Sequence, residues 1–276
     1  MLMTLLGKRL AIAIPNTVME EKDSLRDKTA KLGLIARACG IYGVDLIEIF
    51  RDPHGQGEAP EMRRILEYIE TPQYLRKRIY PLDETLKYAG ILPPLRIPSH
   101  RAKVPIDELL IGEVREGVAN GNGTVEIGLE RPARLKEKVT PETRVTVRVV
   151  SVKPLAAELV PREQLSEYWG YRVEVKTSAE VLSDSRFGVK VATSRFGTPI
   201  GEALGLLQNS VARADGIKLI FGSPSKGLFD IMGKGLAARV EFVLNLYPEQ
   251  HVETVRTEEA IFAGLGLISL FSVRKA

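Results

Sequence analysis

An α/β fold with a small all-β unit inserted into it is predicted for this chain by three observations. Strand-like and helix-like segments alternate over the first hundred residues, the pattern of a parallel sheet with crossover helices. Between about residues 109 and 160 the pattern changes to short strands separated by turn residues. Alternation then resumes and ends on a strongly apolar segment. Residues 1–100 and 168–276 are therefore expected to form one discontinuous α/β domain, and residues 101–167 an inserted barrel.

Residues 10–14 read as the first core strand. Ser24 is a candidate N-cap for a helix with an apolar face of Leu25, Ala30, Leu32, Leu34, Ile35, Ala38 and Cys39, ending at Gly40 or Gly43. Residues 44–50 are the second strand, and the Pro- and Gly-rich residues 51–57 a loop at its end, where open α/β sheets place ligands. Helices are expected over 61–68 and 74–80. In the inserted unit strands are expected over 110–118, 124–129, 144–152 and 156–160, the first two joined by Asn120-Gly121-Asn122-Gly123. The simplest closure is an OB-like barrel. Residues 189–194 and 240–244 are further sheet strands, and 260–270 a buried final helix with Thr257 as its N-cap and Glu258 and Glu259 in its first turn.

At 276 residues with 44% apolar side chains, a sizeable core is available. The single Cys39 excludes an internal disulfide and a cysteine-cluster metal site, and His54, His100 and His251 have no metal-ligand spacing, so no metal is expected. The apolar residues 1–7 are too short to cross a membrane and make a poor signal peptide, and a cytoplasmic location is expected. No P-loop, dinucleotide fingerprint or nucleophile elbow is present, which removes the usual support for NTPase, dehydrogenase and hydrolase readings.

The segment 245–260 is a polar loop that leaves a strand and opens a helix, where free backbone N–H groups can meet the polar edges of a small ligand. Together with Ile220-Phe221-Gly222-Ser223-Pro224-Ser225-Lys226-Gly227-Leu228, it resembles the cofactor site of the SPOUT class of RNA methyltransferases, whose C-terminus is tied in a trefoil knot. Within that class the chain is most similar to the archaeal and eukaryotic group carrying an inserted β-barrel. The resemblance implies a knotted parallel sheet, S-adenosylmethionine as cofactor and a homodimer joined through the knot helices. It assigns cofactor contacts to Phe221, Gly222 and Ser223, to Leu244, Asn245 and Leu246, and to Thr254, Val255, Arg256, Thr257 and Glu258. Ser194 or Arg195, in a Thr-Ser loop after the 189–194 strand, is expected to face the same cofactor. Gly222 would omit a side chain where the adenosine comes close.

Arg37, Arg101 and His251 are the candidate catalytic residues: Arg37 by similarity to the first motif of the ribose-modifying branch, Arg101 at the domain border, and His251 as a proton acceptor. Residues 74–103 hold seven basic residues against Asp83 and Glu84, with Tyr74, Tyr80 and Tyr88 among them, a composition suited to phosphate attraction and base stacking. Arg131, Arg134, Lys136 and Lys138 form a second basic cluster on the inserted unit. The expected activity is methyl transfer to a base of ribosomal RNA, a uridine nitrogen by analogy to the class. The competing expectation is an RNA-binding or assembly protein that keeps the fold without turnover.

Overall fold

The computed structural model describes residues 8–19, 23–53, 55 and 58–271. The apolar residues 1–7, His54 and part of the 51–57 loop lie outside the described residues. The chain begins with β1 (Arg9–Pro15), α1 (Leu25–Tyr42), β2 (Leu46–Phe50), α2 (Ala59–Glu70) and α3 (Gln73–Ile79). It continues through β3 (Val114–Ala119), β4 (Thr124–Glu126), β5 (Ala133–Leu135), β6 (Arg144–Val152) and β7 (Leu155–Leu159). It then runs through β8 (Arg172–Lys176), α4 (Ser178–Ser183), β9 (Val189–Pro199), α5 (Ile200–Arg213), β10 (Gly216–Ile220), α6 (Leu228–Met232), β11 (Phe242–Asn245) and α7 (Thr257–Ser269).

One six-stranded sheet has the order β11-β9-β10-β1-β2-β8, with every pairing parallel. The central strands β1, β2 and β10 are buried on both faces, which is why they read as nearly continuous apolar runs. Helix α1 starts where Ser24 Oγ accepts from Asp27 N at 3.2 Å and stops at Gly43, whose φ of +69° supplies the left-handed cap. Lys218 and Glu48, both fully buried, meet at 2.6 Å across β1. Ala11 and Ala13, their register partners on β1, leave the room for that pair.

Strands β3-β4-β5-β7-β6 close a separate five-stranded barrel. The expected first barrel strand begins too early, since Leu110 and Ile111 are each 70% exposed and turn at Gly112, with φ +91°. The second stops at Glu126, and β5 has no counterpart in the sequence reading because its three residues gain their pairing from β4 and β7 rather than from any local pattern.

A buried charge cluster fastens barrel to sheet domain. Arg144 donates to Glu70 and to Glu116, each at 2.6 Å, and Arg162 donates to Glu116 at 2.9 Å. Thr146 and Trp169 add hydrogen bonds of 2.5 and 2.6 Å to the same Glu116 carboxylate. Tyr74 of α3 donates to the Glu116 carbonyl at 2.8 Å, and its ring packs on Gly128, where a Cβ would come within 2.5 Å. Tyr74 is thus a joint between domains, and Tyr80 stacks edge-on against Tyr68 at 5.5 Å, so these two tyrosines are structural contacts rather than a base-stacking surface. Arg76 donates to the carbonyls of Thr71 and Ile69, and Arg78 pairs with Glu142, so the basic segment is less free than its composition suggests.

Helix α7 is corrected in two respects. Its N-cap is Arg256, whose N–H is taken by the Glu259 side chain at 2.9 Å, because the Thr257 hydroxyl instead donates to the Gly222 carbonyl at 3.1 Å. Of its apolar residues, Ile261, Leu265 and Ile268 belong to the core shared with α1, while Phe262, Leu267 and Phe271 are partly buried and Leu270 is 75% exposed. Among the described residues no helix is long and apolar enough to cross a membrane.

Candidate functional site

Three chain segments converge at the C-terminal ends of β9, β10 and β11. The first arises from a register jump. Val243 of β11 pairs with Ala192 of β9, but Leu244 pairs with Thr198, so residues 193–197 are extruded from the sheet edge. Gly197 permits the crossing below them, since a Cβ there would lie 2.7 Å from the backbone of Val243 and Leu244. The second segment follows β10 and is a tight turn, with Ser223 N donating to the Lys226 carbonyl and Lys226 N to Ser223 Oγ, each at 3.0 Å. A Cβ on Gly222 would meet the Lys226 carbonyl oxygen at 2.9 Å. The missing side chain makes room for the turn, and Gly222 also lines the cavity between the loops.

The third segment leaves β11 at Asn245. Asn245 Nδ2 donates to the Arg195 carbonyl at 3.0 Å and its Oδ1 accepts from Tyr247 N at 2.9 Å, which ties this loop to the extruded one. Tyr247 then donates to the Glu259 carbonyl at 3.0 Å, and Gln250 Nε2 donates to the carbonyls of Val252 and Glu253. Thr257, through Gly222, joins the start of α7 to the β10 loop. The third loop is thus bonded to each of the other two.

Between them lies a cavity of about 410 Å³. Ser194, Arg195, Phe221, Gly222, Ser223, Asn245, Leu246, Thr254, Val255 and Thr257 all line it, from the three segments. Leu244 lies beneath the floor at 1% exposure, and Arg256 and Glu258 do not reach the lining. Glu258 is itself buried, with one carboxylate oxygen that has no hydrogen-bond partner among the described residues. The lining mixes small polar residues with the aromatic rings of Phe196, Phe221, Phe229 and Tyr247 and the charged Arg195, Lys226, Asp230 and Glu253. Such a lining can take a ligand with a flat hydrogen-bonding ring and polar arms.

The candidate catalytic residues are not gathered here. Arg37 Nη1 donates to the carbonyls of Pro94 and Leu95 at 3.0 and 2.9 Å, pinning that segment to α1. Arg101 pairs with Glu167 at 3.5 Å and lines a groove on the barrel side with Leu110 and Ile111. His251 is exposed in the third loop beside the lining residue Gln250. His100 lies at the domain junction with Nε2 2.7 Å from the Glu70 carbonyl, and burial pushes its pKa down to about 4, so it is neutral at pH 7.

Sequence reasoning passed over several lining residues. Phe196 is 77% exposed at the lip, with the Arg195 guanidinium 4.9 Å from its ring centre. Tyr247, Gln250, Asp230 and Lys226 also line the cavity. Lys226 Nζ lies 3.2 Å from Oδ2 of Asp52, a buried residue at the end of β2. A cation within a Gly-Ser-Pro-Ser turn was the available signal. Among the described residues no group of His, Cys, Asp or Glu is arranged to hold a metal.

A family model described as "Putative RNA methyltransferase" matches residues 9–268. An uncharacterized protein of Halobacterium salinarum is 34% identical to this chain, over 94% of it and 98% of the relative. The 28S rRNA (uridine-N(3))-methyltransferase of Homo sapiens is 30% identical, over 94% of this chain and 77% of the human protein. A solved structure described as "Crystal structure of an hypothetical protein" is similar at TM-score 0.42 and 12% identity, over 96% of this chain and 65% of that chain.

Proposed function

The chain belongs to this RNA methyltransferase family, and from that premise we propose that it transfers the methyl group of S-adenosylmethionine to N3 of a uridine in large-subunit ribosomal RNA. The observation that carries the reading is the cavity built by the three interlocked loops at the C-terminal edge of the sheet. Methyl transfer is an in-line displacement that needs the donor held and the acceptor aimed, with little covalent work by the protein. A lining that combines polar and aromatic residues suits that task, because it can meet the adenine edge, the ribose and the amino-acid end of the cofactor. Phe221 and Phe229 supply flat apolar surface for the purine, and the free N–H groups of the first turn of α7 favour polar or anionic ends. When bound, the cofactor supplies an electrophilic methyl group.

On this reading the ten lining residues named above are the cofactor contacts, with Leu244, Arg256 and Glu258 supporting them from behind. The uridine N3 assignment is supported by the activity in the name of the human relative and by the matched length. The same reading includes a SPOUT-type knot at the C-terminus, an OB-like character for the barrel, a border near residues 101 and 167, and a cytoplasmic setting. It also includes a homodimer through α1 and α7. Leu34, Ile41 and Leu270 are exposed on these two packed helices, beside the half-buried Phe262 and Leu267. A monomer by light scattering at micromolar concentration would overturn the dimer.

The barrel presents Arg131, Arg134, Lys136 and Lys138 at its surface, which supports a role in gripping the RNA backbone. The decisive test pairs titration calorimetry of S-adenosylhomocysteine with methylation of a large-subunit rRNA transcript and mass spectrometry of the product nucleosides. The expected result is cofactor-product binding and N3-methyluridine. RNA binding without affinity for S-adenosylhomocysteine would instead support an assembly protein.

A further inference from the structure

The cavity has a border that the cofactor assignment leaves without a task. It lies over β11, β9 and β10, and on the side facing β1 and β2 it ends at Lys226. Lys226 is the lining cation anchored by an interior carboxylate, since its Nζ lies 3.2 Å from Asp52 Oδ2 and the Asp52 side chain is fully buried. Asp52 is in turn fixed from β1. Its N–H donates to Asn16 Oδ1 at 2.7 Å, and Thr17 Oγ1 donates to Asp52 Oδ2 at 3.3 Å. Asn16 and Asp52 thus use the ends of two central strands to hold one ammonium group at the cavity edge. An ammonium has three N–H donors, and Asp52 accounts for one.

A second observation concerns what the cavity lacks. Its lining carboxylates are Asp230 and Glu253. Asp230 accepts from Gly227 N at 3.1 Å as part of the start of α6, and Glu253 is exposed on the outer loop. His251 does not reach the lining. Among the described residues the cavity therefore offers a fixed cation and no histidine. An imide nitrogen flanked by two carbonyls suits that arrangement, because its conjugate base spreads negative charge onto both carbonyl oxygens, where an ammonium can stabilise it.

We propose, resting on the uridine reading above, that Lys226, held by Asp52, meets a carbonyl oxygen of the target uracil and stabilises the N3 anion that accepts the methyl group. The N3–H bond breaks and its proton passes to water. The N3 electron pair then forms the new N–CH3 bond while the sulfur–methyl bond breaks and its pair returns to sulfur, leaving S-adenosylhomocysteine and N3-methyluridine. The charged groups around Lys226 are Asp52 from β2, Asp230 from α6, Arg195 from the β9 loop and Glu253 from the third loop.

Single-turnover methylation of a large-subunit rRNA transcript, followed against pH for the wild type, Lys226→Met, Lys226→Arg and Asp52→Asn, tests this assignment. Lys226→Met is expected to lower the methyl-transfer rate about 10²-fold, the scale for removing one donor from a developing anion. The pH of half-maximal rate should rise by about one unit, while affinity for S-adenosylhomocysteine stays within about twofold. Lys226→Arg should restore much of the rate, and Asp52→Asn should fall between. A Lys226→Met protein with the wild-type pH midpoint overturns the proposal, as does a rate loss matched by an equal loss of S-adenosylhomocysteine affinity. Wild-type protein that methylates a ribose hydroxyl in place of N3 overturns the proposed function and this inference with it. Wild-type N3-methyluridine with an unaltered Lys226→Met profile overturns this inference alone.

Discussion

The domain junction and the cavity spend polar groups in opposite ways. At the junction Glu70, Glu116, Arg144 and Arg162 are drawn together in the interior, with Trp169 and Thr146 closing the remaining contacts of Glu116. At the cavity charged side chains are interspersed with neutral ones, and Lys226 is held there by the buried Asp52. At the junction burial and charge pull in opposite directions on neighbouring carboxyls. Burial raises the Glu116 carboxyl, but Arg144 and Arg162, with hydrogen bonds from Thr146 and Trp169, more than offset it and hold the pKa at about 2. For Glu70 burial prevails over the same two arginines and the pKa is raised. Strongly perturbed groups are a common marker of active sites, but structural ion networks perturb them as well. Here cavity shape and loop architecture locate the candidate site, and the perturbed carboxyls Glu70 and Glu116 belong to the joint between barrel and sheet domain.

The largest expected effect tests the junction. Glu116→Gln leaves Arg144 and Arg162 buried against a neutral amide, and losing one member of a buried ionic cluster costs about 3–5 kcal/mol of stability. Urea melts monitored through Trp169 fluorescence should report it. Calorimetry on the folded variant should still show wild-type affinity for S-adenosylhomocysteine, because the loops of the cavity make no contact with Glu116 in their hydrogen-bond network. Loss of affinity at conserved fold would mean that the two regions are coupled.

Acid should weaken the junction before the cavity. Glu116 has a folded pKa of about 2 against an ordinary 4.5, so its stabilisation is complete above 4.5 and is lost as pH falls toward 2. At ~1.4 kcal/mol per unit this is on the order of 3 kcal/mol. His100 acts earlier. Its pKa is depressed from 6.5 to about 4, so the unfolded chain takes up a proton first and stability declines as pH falls from 6.5 to 4. Glu70, raised by burial, gains its proton in the folded state and softens the loss. Equilibrium melts between pH 7 and 2.5 should show a steeper acid limb in the wild type than in Glu116→Gln.

The strands and helices visible in the sequence are those whose pattern is local. β1, β2 and β6 are apolar or alternating runs of adequate length, and α1 carries both Ser24 and Gly43 as end signals. β5 is invisible because Ala133, Arg134 and Leu135 become a strand only by pairing with β4 and β7. The extrusion of residues 193–197 is equally non-local, since it follows from the register jump against β11. Thr257 looked like a cap because its hydroxyl can serve its own helix, and nothing nearby in sequence announces the Gly222 carbonyl that takes it. The cavity-lining residues could be named through the resemblance, because the loops that carry them are contiguous stretches. Lys226 and Asp52, separated by 174 positions, could not be joined without the fold.

A smaller effect is expected in the cavity loops. In Gly222→Ala the new methyl group would press on the Lys226 carbonyl, 2.9 Å from the Cβ position, and on the Leu228 N–H at 3.3 Å. Those atoms are backbone, so the turn of residues 223–226 has to shift as a unit and carries Ser223 and Lys226 with it. S-adenosylhomocysteine should bind about tenfold more weakly, equivalent to ~1.4 kcal/mol, with little change in the urea midpoint. Calorimetry alongside the melt separates the two, and an unchanged affinity would place the ligand away from this loop.

The smallest effect concerns Arg37, where similarity to the ribose-modifying branch and the observed geometry diverge. The similarity expects a group that touches the reacting atoms. The structure gives its guanidinium to the carbonyls of Pro94 and Leu95, which connect the basic segment to α1 and hence to the back of the sheet. Replacing Arg37 by Ala removes two partly exposed hydrogen bonds to backbone, worth about 1 kcal/mol together after exchange with water. The melt midpoint should fall slightly, while methyl transfer at saturating RNA should stay within about threefold of wild type, less than 1 kcal/mol in the barrier. Arg37→Lys should recover part of the stability, since both carbonyls are met by one nitrogen, Nη1, and an ammonium also carries several N–H donors but on a shorter stem. A rate loss of about 10²-fold with unchanged stability would restore Arg37 to the chemistry, and would require the 94–95 segment to release it when RNA binds.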